Sequence, residues 1–281
     1  MSERPVLVVN ADDFGLTTGV CRGVLDAHAE GVVTSTSALV VAPAFRRHAS
    51  ALAASGIGVG LHVALVGEDP PLLGAREVPS LVDRRGALAP TWRHLVARAA
   101  RGAVDPDDVR REAEAQLAVL RSAGIAPTHV DSHQNVHIWP AVARPLLALA
   151  VDHHVPGVRV PRSRRWTASG VGVRVLGARL RAAVRGHGLL TTDAAAGLDE
   201  AGTWDETSLV AAVHRLAADG GPAELATHPG ADPDPERDRY RWGYRWADEL
   251  DALCRPGLRE AVDRCGFVLG DFGDLSPASG A

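Results

Sequence analysis

Apolar positions along this chain fall into short β-branched runs that give way to longer Ala/Leu/Arg stretches and then return, from one end to the other. A short apolar run bounded by turn residues predicts a buried strand, and longer stretches with apolar residues three and four apart predict amphipathic helices. Strands are expected over Val6–Asn10, Val33–Val41, Gly58–Leu65, His129–Val136, Gly157–Pro161, Glu224–His228 and Phe267–Gly270. Between them the pattern predicts helices over Gly19–Glu30, Ala44–Ser55, Asp107–Ala123, Ala141–His153, Val173–Gly188, Glu206–Asp219 and Arg255–Cys265. Several helix ends carry their own signals: Asp105-Pro106 can cap and open one helix, and Gly124 and Gly266 can stop two others. Strands alternating with helices predict βα units around a parallel sheet, and seven strands suit a barrel.

Two stretches break the alternation, Val66–Pro90 and Pro229–Trp242, both rich in Pro, Gly and charge. Loops this long inside a compact domain are more often functional than not. One continuous domain over residues 1–275 is expected, followed by a small polar tail, Ser276–Ala281.

The 281 residues are 46% hydrophobic and 23% charged, enough to bury a full core and too apolar for a disordered chain. Net charge is −4, and all 30 basic residues are Arg, interspersed with acids and not gathered in a block. Nucleic acid is therefore not an expected partner. Cys21, Cys254 and Cys265 make a poor disulfide framework and read as reduced thiols. The apolar run Val6–Val9, broken at once by Asn10, Asp12 and Asp13, is unlike a signal peptide, and no segment approaches the roughly 20 apolar residues of a membrane span. The expectation is a cytoplasmic protein with no membrane partner.

Polar residues collect where the predicted strands stop, and in parallel α/β barrels the C-terminal strand ends form the catalytic face. The first strand runs into Asp12 and Asp13, neighbours that on an extended segment point to opposite sides and so should have different jobs. A second ends at Gly60-Leu61-His62, and a fourth signal is Thr227-His228-Pro229. The densest segment is Thr128-His129-Val130-Asp131-Ser132-His133-Gln134-Asn135-Val136-His137. Extended, it would line Asp131, His133, Asn135 and His137 along one face; turned into a helix, it would put His133 and His137 on one face. Either arrangement supports a divalent cation on mixed oxygen and nitrogen ligands, with positions left for water and substrate.

These segments, with Asn10-Ala11-Asp12-Asp13-Phe14-Gly15-Leu16 and Gly31-Val32-Val33-Thr34-Ser35-Thr36-Ser37-Ala38-Leu39, resemble in order and almost end to end the YdjC-like carbohydrate deacetylases. The resemblance implies an irregular (β/α) barrel, one divalent metal ion such as Mg or Zn, and hydrolysis of an N-acetyl group from a sugar. Carried over position by position, the metal ligands would be Asp13, His62 and His133. Gln134 and Asn135 depart from the family pattern, which often has a His there. On this reading Asp12 acts as general base toward a metal-activated water, His228 protonates the departing amine, and Asp131 orients a nearby His. His137 is a third imidazole ligand or a substrate contact.

Aromatic residues make up only 4% of the chain, yet six are Trp. Trp139 directly follows the metal segment, and Trp242 and Trp246 flank the long loop after His228, where an indole face could stack on a sugar. The expected partner is thus an N-acetylated sugar bound near Asp131, His137, Trp139 and Trp242, in a protein that could pair as a homodimer. Two other readings compete: a metal-dependent phosphoester hydrolase, and a barrel that binds sugar without turnover.

Overall fold

The computed structural model describes residues 4–276, so the expected tail lies outside the described residues apart from Ser276. Its strands are β1 (Val6–Phe14), β2 (Ser35–Ala38), β3 (Gly58–Val63), β4 (His129–Ser132), β5 (Gly157–Val158), β6 (Ala194–Ala196), β7 (Ala223–Thr227) and β8 (Val268–Gly270). They join one sheet in the order β5-β4-β3-β2-β1-β7-β6, every pair parallel, so seven strands form a continuous curled path. The eighth, β8, pairs with the first residues of β1, Val6 to Val8.

Helices α1 (Thr18–Ala29), α2 (Pro43–Ala54), α3 (Trp92–Ala99), α4 (Pro106–Ser122), α5 (Pro140–Asp152), α6 (Ala168–Gly186), α7 (Glu206–Asp219), α8 (Trp246–Leu253) and α9 (Pro256–Arg264) flank the sheet. The central strand β1 is buried on both faces, with Leu7, Val8 and Val9 fully covered, which is why it reads as an unbroken apolar run. Asp105 caps α4 by accepting from the Asp107 N–H, with Pro106 in the first turn, and Gly124 and Gly266 follow α4 and α9 in the left-handed conformation that ends a helix. Among the described residues, no helix is long and apolar enough to cross a membrane.

Some expectations shift and others hold. The strand predicted over His129–Val136 stops at Ser132, because Gln134 and Asn135 both take positive φ, 54° and 53°, and turn the chain into a short 3₁₀ segment. Strand β6 is three alanines, without the β-branched residues that signal a strand, and α3 and α8 are each only eight residues long. The two irregular stretches stay irregular over most of their length, and they meet: Tyr240 Oη donates to Asp69 Oδ2 at 3.0 Å and Trp242 Nε1 to Glu68 Oε1 at 2.9 Å. Glu112 of α4 holds the first of them by accepting from the Leu72 and Leu73 N–H groups.

Candidate active site

The C-terminal ends of the strands open into a cleft of about 370 Å³. Such a volume suits a small ligand. Asp12 and Asp13 enter it from β1, His62 from β3, His133 from just beyond β4, Arg159 from beyond β5, and Glu224 and His228 from β7 and its exit.

Two adjacent residues on a regular strand face opposite sides, yet Asp12 and Asp13 both line this cleft. The pairing of β1 with β2 is irregular between Ala11 and Phe14, and Asp13 there adopts a φ of 67°. That bulge turns both carboxylates to one side. Their partners still differ, as separate jobs require.

Asp13 faces two imidazoles. Its Oδ1 lies 2.9 Å from His133 Nδ1 and 3.3 Å from His62 Nε2. The other His62 nitrogen, Nδ1, donates to Asp131 Oδ1 at 2.8 Å. Asp131 is fully buried beneath the cleft; it also accepts from Ser37 Oγ at 2.8 Å and pairs with Arg159. A ring fixed this way through one nitrogen presents the other, the arrangement by which carboxylates orient metal-binding histidines. Burial alone would lower the His62 pKa, but the carboxylates on both its nitrogens push it up to about 10. His62 Nε2 thus sits where positive charge is favoured. One donor atom each from Asp13, His62 and His133 lie within 4.8 Å of one another, all three residues buried, so the donor set fits a divalent cation. A second grouping, Asp12, His62 and Asp131, reuses His62 and already holds the guanidinium of Arg159 as its cation.

Asp12 faces Arg159, accepting from Nη2 at 2.6 Å and Nη1 at 2.7 Å, and takes a third bond from Asn10 Nδ2 at 2.7 Å. Burial works to raise its pKa, but the charge and hydrogen bonds of Arg159 outweigh it and hold the carboxyl below its ordinary value. Arg159 is itself 2% exposed and also donates from Nε to Glu224 at 2.7 Å. Across from Asp12, His228 Nε2 lies 3.9 Å from Asp12 Oδ2. The His228 backbone N–H donates to buried Glu249 at 2.7 Å, and its ring packs edge-on to Tyr244. Its Nδ1 is buried with no hydrogen-bond partner among the described residues.

The structure thus gathers Asp12, Asp13, His62, His133, His228 and Trp242 around one cleft and places four other candidates elsewhere. Asp131 lies under the cleft. His137 neither extends alongside His133 nor shares a helical face with it, because the left-handed turn at Gln134 and Asn135 separates them. Its Nε2 donates to the Arg159 carbonyl at 3.1 Å and its Nδ1 accepts from Ser132 Oγ at 2.8 Å, while burial lowers its pKa to about 4. With both nitrogens bonded inside the protein, His137 is a support for the loop carrying Arg159, in place of the ligand or substrate contact expected of it. Trp139 lines a neighbouring cavity. Trp246 is buried, its ring packed at a tilt against Trp242 and Tyr244. Residues that the sequence reading passed over include Arg159, Glu224, Trp92 and Tyr244, all of which line the cleft. The available signal for the first two was a lone charge in each of two apolar strand segments, Val158-Arg159-Val160 and Ala223-Glu224-Leu225, of opposite sign.

Comparison with known proteins gives concordant results. The model of the family described as YdjC-like protein matches residues 6–264. A chitooligosaccharide deacetylase of Serratia marcescens is 34% identical over 278 residues, 96% of this chain and 99% of that protein. A carbohydrate deacetylase of Brevibacillus brevis is 41% identical over 157 residues, 55% of this chain and 59% of its own length. Among solved structures, one from Enterococcus faecalis, described as a candidate cellobiose-phosphate cleavage protein, is similar with a TM-score of 0.78 at 25% identity, covering 98% of this chain and 100% of that one.

Proposed function

The chain belongs to the YdjC-like protein family, and from that premise we propose that it hydrolyses the N-acetyl group of an acetylamino sugar. The observation that carries this reading is the pairing, in one cleft, of the Asp13, His62 and His133 donor set with a neighbouring acid and imidazole, Asp12 and His228.

An acetamide needs three kinds of help: a more electrophilic carbonyl, a deprotonated water and a protonated leaving amine. A divalent cation on Asp13, His62 and His133 would polarise the carbonyl and acidify water. One oxygen and two nitrogen donors suit Zn better than Mg, which favours oxygen ligands. Asp131 keeps His62 in the orientation that presents Nε2 to Asp13. Asp12, kept ionised by Arg159, is the acceptor for the proton of the attacking water. His228 is the donor to the departing amine, and its edge packing on Tyr244 and the hold of Glu249 on its backbone fix where that proton is delivered. Positioned proton transfer of this sort is typically worth about 10²–10⁴-fold. Trp92, Trp242 and Tyr244 offer flat apolar faces to a sugar ring beside these groups.

The test is acetate release from a panel of N-acetylated mono- and oligosaccharides with added Zn, Mn, Co, Mg or a chelator. Because the Enterococcus faecalis neighbour's description names a phosphorylated sugar, a sugar phosphate belongs in the same panel. Acetate release that depends on a divalent ion is the expected result. Phosphate release without acetate release would replace this reading with phosphoester hydrolysis.

A further inference from the structure

Arginines are interspersed with acids over the chain as a whole, but residues 153–192 depart from that pattern: they hold eight Arg and no Asp or Glu, which leaves 22 Arg against 34 acids for the remainder. Most of this stretch is helix α6 and the loop that leads into it. The outermost positions of a surface helix are ordinarily polar. On α6 they are Val171, Val175, Ala178 and Ala182, whose spacing sets them in one exposed ridge. Val171 is 43% exposed and Val175 48%, and Trp166, just ahead of the helix, reaches 90%. Arg174 joins the two parts of this surface, since it stands one turn from Val171 and its guanidinium lies over the Trp166 ring, 4.6 Å from the centroid.

The surroundings of the ridge are basic. Arg174 and Arg181 flank it on one side and Arg179 on the other. Arg162, Arg164 and Arg165 lie in the preceding loop, and Arg185 in the last turn. Three carboxylates answer these seven arginines and leave four positive charges over: Asp219 meets Arg162 and Arg164, Asp199 meets Arg165, and Asp193 meets Arg181 and Arg185. Arg174 donates to the backbone carbonyls of Ser163 and Arg165. Burial and the charges of Arg162 and Arg185 pull the Arg181 pKa below its ordinary value, as crowding by like charges should.

We propose that this face of α6 docks on an anionic lipid surface, with Trp166 at headgroup level and the flanking arginines against lipid phosphates. An indole with one polar edge and a guanidinium that can fork to phosphate are side chains suited to that boundary. A second copy of the chain is a poor occupant, because ridge against ridge would set Arg against Arg. A protein partner is a poorer fit than a bilayer, since interface cores seat large anchors in pockets and this surface is a convex row of Val and Ala with one large residue. The expectation of no membrane partner rested on the lack of an apolar span, which does not bear on a helix that lies along a surface. Arg162 also lines the cleft, and Arg165 and Thr167 the cavity beside it, so docking brings the mouth of the cleft next to the headgroups. The proposal does not depend on the deacetylase reading.

The experiment sediments the whole chain with vesicles of phosphatidylcholine alone, and of phosphatidylcholine and phosphatidylglycerol in equal parts. The expected result is binding to the anionic vesicles only, weakening as salt rises. Each basic residue near such a surface adds about fivefold in affinity, so Arg179→Glu, which replaces a cation with an anion, should cost about 25-fold. Trp166→Ser alters no charge and should cost about tenfold through lost apolar contact, and brominated lipids should quench less tryptophan fluorescence in it than in the wild type. Both positions are exposed and outside the cleft, so circular dichroism should show both variants folded like the wild type. Absence of binding to anionic vesicles at low salt overturns the proposal, as does binding that either variant retains in full. Dimers in sedimentation equilibrium that Val175→Glu dissociates would give the face to a second copy, and capture of an acidic amphipathic peptide without vesicle binding would give it to a protein partner; either result overturns it.

Discussion

Replacing Arg159 with methionine keeps most of the side chain's length and removes its charge, leaving Asp12, Asp131 and Glu224 buried without the cation they share at 2.6, 2.7 and 2.7 Å. Deleting one partner of a single buried pair costs about 3–5 kcal/mol. Three acids lose theirs here, so the lower figure is a floor, and against a whole-domain stability of about 5–15 kcal/mol it is a large fraction. The pH dependence follows from the same contacts. In the wild type, burial works to raise Asp12 and Asp131, but Arg159 outweighs it and both lie below their ordinary value of 3.8. The stability they contribute is present above that unfolded value and is lost as pH falls through their folded values. In Arg159→Met the largest influence opposing burial is gone and only contacts such as those of Asn10 with Asp12 and of Ser37 and His62 with Asp131 remain, so the folded pKa values rise and the stability these carboxylates add near neutrality shrinks. The gap between the two proteins is therefore widest near neutrality and narrows toward acid. Urea unfolding followed by circular dichroism across that range measures it, and Arg159→Lys, which keeps one charge but cannot fork to three acids, should fall between the two. A Met variant within about 1 kcal/mol of wild type near pH 7, or a gap that widens on acidification, would refute the reasoning.

Other contacts make separate predictions. Asp131→Asn loosens the hold on His62 and should weaken Zn affinity by about 10–100-fold in calorimetric titration, so an unchanged affinity would remove Asp131 from the site's support. Burial pushes Glu224 from an ordinary 4.5 up to about 7 against the opposing charge of Arg159, so this carboxyl costs stability as pH rises between those values. Glu224→Gln should abolish that decline, on the order of 3 kcal/mol, and a variant whose stability falls with pH just as the wild type's does would show the assignment wrong. Glu112→Ala strips the acceptor from two backbone N–H groups of the stretch after β3, at about 1.5–3 kcal/mol for each bond to a charged group. Limited proteolysis should then cut within residues 66–90 faster than in the wild type; equal cleavage would mean that the loop is held elsewhere.

Much of this site was legible because its residues sit where apolar runs stop. The ends of β1 and β3 announce themselves as Val-containing apolar segments running into Asp12 and His62, β4 by the density of His and Asp around Asp131, and β7 by Leu225-Ala226-Thr227 leading into His228, and strand ends are what a barrel brings together. What stayed hidden depends on contacts between distant parts of the chain. Arg159 and Glu224 are 65 positions apart, and each looks like an isolated polar residue until the sheet closes them on one another. The divergence of His133 from His137 rests on two left-handed residues, Gln134 and Asn135, neither of them the glycine that would advertise such a turn. Strand β6 could not be read because Ala194, Ala195 and Ala196 carry no shape preference for a sheet; pairing with β7 alone makes them a strand. The expectation that adjacent Asp12 and Asp13 diverge failed for a related reason, since a bulge is a property of the paired strand and not of the dipeptide.

The account's central claim is the division of labour between those two carboxylates, with Asp13 in the cation's donor set and Asp12 in proton transfer. Calorimetric Zn titration and acetate release, measured together on Asp13→Ala and Asp12→Asn, test it most directly. The account predicts that Asp13→Ala loses both bound metal and turnover, whereas Asp12→Asn binds metal as the wild type does and loses turnover by about 10²-fold or more. Metal retained in Asp13→Ala and lost in Asp12→Asn would contradict it and exchange the two roles.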